Sequence, residues 1–210
     1  SQLPQYLAMM DRVKKKYKDF TIKVGMEADY IPGFEKQTKA LLETHPYDFV
    51  IGSIHFIDRW AFDDPDEKVK WKDKDINRVY RDYYKLLRQS AESGLFDILG
   101  HVDLVKKFGH RPSEDLTGEI GRTAAVFKKS GITVEINTSG LRKPVAEIYP
   151  SLEVLKIYQK HGVPITFSSD SHDPLDVGRD YDKAVELAKY AGYKEYRVFR
   201  RRKVERIEGL

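Results

Sequence analysis

Apolar and polar positions along this chain change period repeatedly, from the spacing of a helix to that of a buried strand. Leu7, Met10, Val13 and Tyr17 recur at helical spacing among lysines and predict an opening helix. A strand over 21–27 follows, then a short helix opened by Pro32-Gly33 that carries Ala40, Leu41 and Leu42 and stops near His45-Pro46. The second strand covers about 48–55. A polar loop with aromatic residues comes next, holding Trp60, Phe62, Asp63-Asp64-Pro65-Asp66 and Trp71. The clearest helix sets Ile76, Val79, Tyr80, Tyr83, Leu86 and Leu87 on one face and ends at Gly94. Beyond it the pattern predicts a strand over 96–100, a helix from Ser113 to a stop at Gly131, and a strand over 132–136. A helix capped by Ser151 and stopped at Gly162, a strand over 163–167, a helix over 181–191 and a last strand near 195–199 complete the series.

About six strands alternating with helices predict parallel βαβ units in an α/β fold. No long linker or low-complexity segment divides them, so 1–210 reads as a single domain. An open dinucleotide-binding sheet would share the alternation, but no Gly-x-Gly-x-x-Gly follows the first strand. What separates the two is the chemistry at the strand ends. Glu27 closes the first strand, His55 the second and His101 the third, and Asp170 and His172 follow the run 163–167. Active sites of (β/α) barrels are built at the C-terminal strand ends, so a barrel is the better fit. Such barrels run to about 250 residues. The chain is therefore expected to be N-terminally incomplete by one or two βα units, which agrees with its opening on Ser1 rather than Met.

Residues i and i+2 of an extended segment project to the same side, so Asp170 and His172 are expected to converge on one ion. Imidazoles and carboxylates without sulfur suit Zn, Mn or Fe. Glu27, His55, His101, Asp170 and His172 thus predict a multinuclear divalent metal centre, in which Glu27 can bridge two ions with its two oxygens. Ions a few Å apart orient a phosphate ester and acidify bound water. Arg142, on the segment after strand 132–136, is the candidate for bidentate phosphate contact, and Asn137 offers an amide beside it. Lys106, Lys107 and Arg111 are secondary candidates; Asp29 and Asp103 could orient ligands or begin turns. His45, His110 and His161 do not share the strand-end position and read as structural. The aromatic residues between Trp60 and Trp71 could cover a ring of the substrate or simply pack.

Composition changes this picture little. The net charge of +4, from 37 basic and 33 acidic residues spread along the chain, is too mild to argue by itself for a nucleic-acid partner, and none is expected. The run Arg200-Arg201-Arg202-Lys203 is the exception and reads as a solvated edge or tail. With no Cys, disulfides, thiolate metal sites and a cysteine nucleophile are excluded. No apolar stretch approaches the roughly 20 residues of a membrane span, and no signal peptide opens the chain, so a cytoplasmic location without membrane partner is expected. Oligomeric state is not legible.

The series Gly25-Met26-Glu27-Ala28-Asp29, Gly52-Ser53-Ile54-His55, Gly100-His101-Val102-Asp103, Asn137-Thr138-Ser139-Gly140-Leu141-Arg142 and Ser169-Asp170-Ser171-His172 resembles the PHP (polymerase and histidinol phosphatase) superfamily, and within it the histidinol-phosphate phosphatase branch. The resemblance covers nearly the whole chain, with the motifs in order. It implies a distorted (β/α)7 TIM-like barrel, a trinuclear metal centre, and hydrolysis of the small-molecule ester L-histidinol phosphate to L-histidinol and phosphate in histidine biosynthesis. By position, Glu27 would bridge ions and act in catalysis with Asp170; His55, His101, Asp170 and His172 would be ligands, and Arg142 would hold phosphate. The family's first-strand His-x-His is not found before Leu3, so residues preceding Ser1 are expected to carry it. Two other functions are compatible with the same motifs: a phosphoesterase acting on nucleotides or nucleic-acid ends, and a non-catalytic PHP barrel.

Overall fold

Five of the apolar runs pair side by side as parallel strands in a computed structural model that describes residues 2–210. They are β1 (Gly25–Asp29), β2 (Phe49–Ser53), β5 (Ile98–Leu99), β6 (Thr133–Asn137) and β7 (Ile165–Ser168). The sheet order β1-β2-β5-β6-β7 rises with the chain and never reverses. Right-handed crossovers that all step the same way place every connecting helix on one face. The other face is then free to curl inward, which is the winding of a barrel rather than of a doubly wound sheet. Among the described residues no ladder joins the edges β1 and β7, so the curl remains open there.

The outer layer is α3 (Ile76–Glu92), α4 (Thr117–Ser130), α5 (Leu152–Lys160) and α6 (Tyr181–Ala191), each packed on the next. Asp75 caps α3 by accepting the Arg78 N–H, and Ser151 caps α5. Gly131 ends α4 at φ +71, where a side chain would be strained. The predicted face of α3 is the one buried: Val79, Tyr80, Tyr83 and Leu87 meet the sheet. Fully burying a side chain such as Leu87 or Phe127 contributes roughly 2–3 kcal/mol. Helices α1 (Leu3–Lys16) and α2 (Glu35–Leu42) flank β1, α1 through Tyr6, Leu7 and Met10. No helix among the described residues is long and apolar enough to cross a membrane.

The structure departs from the sequence reading in four elements. The predicted sixth strand does not join the sheet: β8 (Glu195–Arg200) pairs antiparallel with β9 (Lys203–Gly209). The basic run 200–203 is the turn of that hairpin rather than a free tail. Arg202 makes a two-pronged contact with Asp97, Nε to Oδ2 being 2.9 Å, and Arg200 pairs with Glu205 at 3.3 Å. The segment between Trp60 and Trp71 is not a polar loop. It forms the small hairpin β3 (Phe56–Ile57) and β4 (Trp60–Ala61), then a 3₁₀ stretch, Pro65–Asp73. Trp60, Phe62 and Trp71 are buried edge to face, and Phe62 meets Tyr83, so they pack the core. Helix α4 begins at Thr117, four residues late, because Asn77 Oδ1 takes the Ser113 and Glu114 N–H groups in a turn. The third strand shrinks to two residues, since the chain turns sharply at His101.

Candidate metal centre

Strand alternation aims Glu27 and Asp29 to the same side of β1, and the end of β2 and the chain just beyond it carry Ser53 and His55 beside them. His101 follows Gly100 at the end of β5 and turns out of the strand at φ +28. Parallel pairing puts these ends next to one another. One ligand atom each from Glu27, His55 and His101 lies within 4.8 Å of the others. Glu27 Oε1 is 3.2 Å from His101 Nε2 and 3.9 Å from His55 Nε2, and it accepts the Ser53 hydroxyl at 2.5 Å.

His55 Nδ1 is held by Asp29 Oδ1 at 2.6 Å, leaving Nε2 toward Glu27. A carboxylate behind an imidazole is how metal-binding histidines are commonly oriented. Asp29 is thus the orienting residue that its position beyond Glu27 suggested. On the buried His101, Nδ1 has no hydrogen-bond partner. The nitrogen that faces Glu27 is the other one, Nε2, and its convergence with Glu27 Oε1 and His55 within 4.8 Å is a donor set that fits a cation. The donor set contains no sulfur and suits Zn, Mn or Fe.

The electrostatics agree. Burial works against the charged form of Glu27, but the hydrogen bond and charge of His101, helped by Ser53 and His55, bring its carboxyl down to about 2. Burial likewise opposes charge on His101, yet Glu27, with Glu135 and Asp170, raises its imidazole to about 9. The site is built to hold positive charge.

Asp170 lines a cavity of about 400 Å³ together with Glu27, His101, Glu135 and Asn137. Its Oδ2 accepts from Asn137 Nδ2 at 3.2 Å and Ser139 Oγ at 3.1 Å. Asp170 and His172 stand outside the Glu27, His55 and His101 group, with Asp170 Oδ1 and His172 Nδ1 3.6 Å apart. Asp170 sits at φ +47, so the segment is not extended and the i, i+2 rule lapses. The His172 side chain is 86% exposed, with Nδ1 3.2 Å from the Asp170 carbonyl. Arg142 lies behind the same segment, donating to Ser169 O at 2.6 Å and standing 3.4 Å from Asp176 Oδ2. Asn137 uses its side chain within the protein, on Glu135, Asp170 and Ser139.

The secondary candidates are committed elsewhere. Buried Lys106 pairs with Asp103 and Glu147, each at 2.8 Å. Asp103 takes the Ser151 N–H at 2.7 Å and does not touch His101. Lys107 holds Asp63 and Arg111 holds Glu147. His110 stacks on Trp71, His161 meets the Ile157 carbonyl at a helix end, and His45 packs on Tyr47. Sequence reasoning missed Glu135 and Ser53. Glu135 is 3% exposed, accepts the His101 N–H at 2.9 Å, and has its carboxyl pushed up by burial against the pull of His101 and Asn137. The signal was present: a lone carboxylate in an apolar run, two residues before Asn137 and so on the same strand face.

Comparison with known proteins places this arrangement. The chain is 37% identical over 205 residues, 97% of its length and 78% of the relative's, to the protein named "Probable histidinol-phosphatase" in Deinococcus radiodurans. It is 32% identical to the histidinol-phosphatase of Bacillus subtilis, covering 89% of this chain and 76% of that one. Its fold matches the crystal structure of histidinol phosphate phosphatase from Lactococcus lactis, a complex with Zn, L-histidinol and phosphate. That match has a TM-score of 0.79 at 22% identity, over 97% of this chain and 80% of that one. The PHP domain family model matches residues 2–139, which contain Glu27, His55 and His101. With most of its length matched in sequence and its parallel strands bringing these side chains within 4.8 Å of one another, the chain belongs to the PHP domain family.

Proposed function

We propose that this chain is a histidinol-phosphate phosphatase of histidine biosynthesis, acting in the cytoplasm on L-histidinol phosphate at a centre held by Glu27, His55, His101 and Asp170. The observation that carries the reading is the meeting of Glu27, His55 and His101 at adjacent strand ends, with His55 aimed by Asp29. The named relatives, similar over nearly the whole chain, supply the substrate.

When bound, divalent ions supply Lewis acidity toward phosphate oxygens and acidify water for attack. The protein's own groups do the rest. Ser53 fixes Glu27 Oε1 and Asp29 fixes His55, so both donors are set before any ion arrives. Arg142 stands beside the Asp170 segment, where release from Asp176 would turn its guanidinium toward a phosphate. Water oxygen bonds to phosphorus, the ester P–O bond breaks, and the histidinol alkoxide takes a proton. Asp170, on the cavity wall, is the proposed carrier of that proton, taking it from the attacking water and passing it to the alkoxide, and it completes the ligand set. His172 is assigned as a ligand that must swing inward from its exposed position.

The test is phosphate release from L-histidinol phosphate by the metal-loaded protein, run in ¹⁸O-water. Label is expected in phosphate, and label in histidinol overturns attack at phosphorus. Glu27→Gln is expected to lose bound metal and at least about 100-fold in turnover, the scale on which ligand-sphere changes act. Full activity in that variant removes the assignment.

A further inference from the structure

β6 supplies none of the proposed ligands, yet it lies between β5, which leads into His101, and β7, which leads into Asp170. Two of its buried polar residues, Glu135 and Asn137, span that gap. Glu135 Oε2 accepts the His101 backbone N–H at 2.9 Å and the Asn137 Nδ2 at 2.9 Å. Asn137 Nδ2 reaches on to Asp170 Oδ2 at 3.2 Å, and its Oδ1 accepts the Ser139 N–H at 2.9 Å. Ser139 Oγ closes the loop on the same Asp170 oxygen at 3.1 Å. Every member of the chain between the two ends is buried, and the Asn137 backbone is pinned in both directions to Tyr149, at 2.7 and 3.0 Å.

The geometry points to Glu135 and Asn137 as positioning residues, a rigid brace on β6 that sets the distance between His101 and Asp170 so that both can serve one metal centre. The inference rests on the proposed metal site, and it explains two oddities that the site alone does not. The first is a carboxylate in a fully buried strand, where an apolar residue would cost less. One carboxylate oxygen has two lone pairs, so it can take a backbone donor and an amide donor together. The second is His101 at φ +28, a conformation that non-glycine residues hold only when surrounding contacts over-determine it. The Glu135 bond to the His101 N–H, with the Tyr83 hydroxyl on the His101 carbonyl at 3.1 Å, fixes the two peptides that flank His101.

The decisive pair of variants is Glu135→Leu and Glu135→Gln, because a glutamine oxygen in the Oε2 position still accepts both donors. Two readouts are needed. Amide hydrogen exchange at His101 in the metal-free protein tests the brace without any ion. Zn²⁺ affinity by competition with a chromophoric chelator tests its consequence. Glu135→Leu is expected to expose the His101 amide by at least tenfold and to weaken Zn²⁺ binding 10–100-fold; Glu135→Gln is expected to stay within about threefold of the parent in both. Unchanged His101 exchange in Glu135→Leu overturns the brace whatever the metal does. Equal losses in Glu135→Gln also overturn it, since the charge rather than the geometry would then matter. Should Glu135→Leu not fold, Asn137→Asp keeps the acceptor for Ser139 but loses both donors. It is expected to weaken Zn²⁺ about tenfold with His101 still protected, and parent-like affinity there overturns the inference. A folded parent that shows a protected His101 amide but no Zn²⁺ binding supports the brace as a structural element and defeats the proposed metal function instead.

Discussion

A buried imidazole facing a carboxylate responds to protons and to cations in opposite ways. In the metal-free protein the Glu27–His101 pair is an ion pair, with Glu27 held down to about 2 and His101 raised to about 9. The depressed carboxyl contributes stability above its ordinary value of 4.5, lost as pH falls toward 2. The raised imidazole contributes stability fully present below its ordinary 6.5 and lost as pH rises through 9. Calorimetry of the metal-free protein is therefore expected to show a melting temperature that declines from pH 6.5 to 9, and His101→Asn is expected to flatten that limb. A slope unchanged in the variant would assign the decline to other groups. A cation needs the imidazole neutral, so metal affinity is expected to rise over the same range. At this scale the sequence was informative about which side chains stand at the strand ends. Glu27, His55, His101 and Asp29 were legible from their places at strand ends. The left-handed backbone at Asp170 was not, because the alternation rule assumes an extended segment, although Asp170 Oδ1 and His172 Nδ1 still come within 3.6 Å.

At the scale of elements, the C-terminal hairpin shows how much of a charge run's meaning depends on what lies opposite it. Arg202 N–H bonds the Asp48 carbonyl, and its guanidinium grips Asp97, whose other contact is the Val50 N–H. The hairpin therefore ties together the N-terminal ends of β2 and β5, at the opposite end of the sheet from the metal site. Arg202→Ala is expected to cost about 1–3 kcal/mol, the range for hydrogen bonds to charged groups. Thermal unfolding should then fall by a few degrees while turnover per folded molecule is unchanged; an intact melting temperature would show the clamp to be idle. The sequence could not reveal this clamp, since Arg202 and Asp97 are far apart along the chain. For Trp60, Phe62 and Trp71 the sequence left packing and substrate cover both open, and the contact of Phe62 with Tyr83 of α3 shows them in the core.

For the whole molecule, a cation at Glu27, His55 and His101 would fasten β1, β2 and β5 at one end, adding a tie to the Arg202 clamp at the other. A ligand bound only by the folded state stabilises it by about 2.7 kcal/mol at a hundred times its dissociation constant. In a chain of 210 residues that corresponds to a rise of roughly 5–10 °C, reversed by a chelator. A melting temperature insensitive to Zn²⁺, Mn²⁺ and Fe²⁺ would speak against a metal at these strands.

The sequence by itself determined the alternation of strands and helices and the side chains that finish each strand, because hydrophobic period and strand-end position are local properties of the chain. Tertiary structure decided which of those ends meet. The rising strand order brings Glu27, His55 and His101 within 4.8 Å, sends the last strand into a hairpin, and makes buried Glu135 a partner of His101. Those outcomes depend on pairing between residues far apart in the chain, which no local pattern encodes.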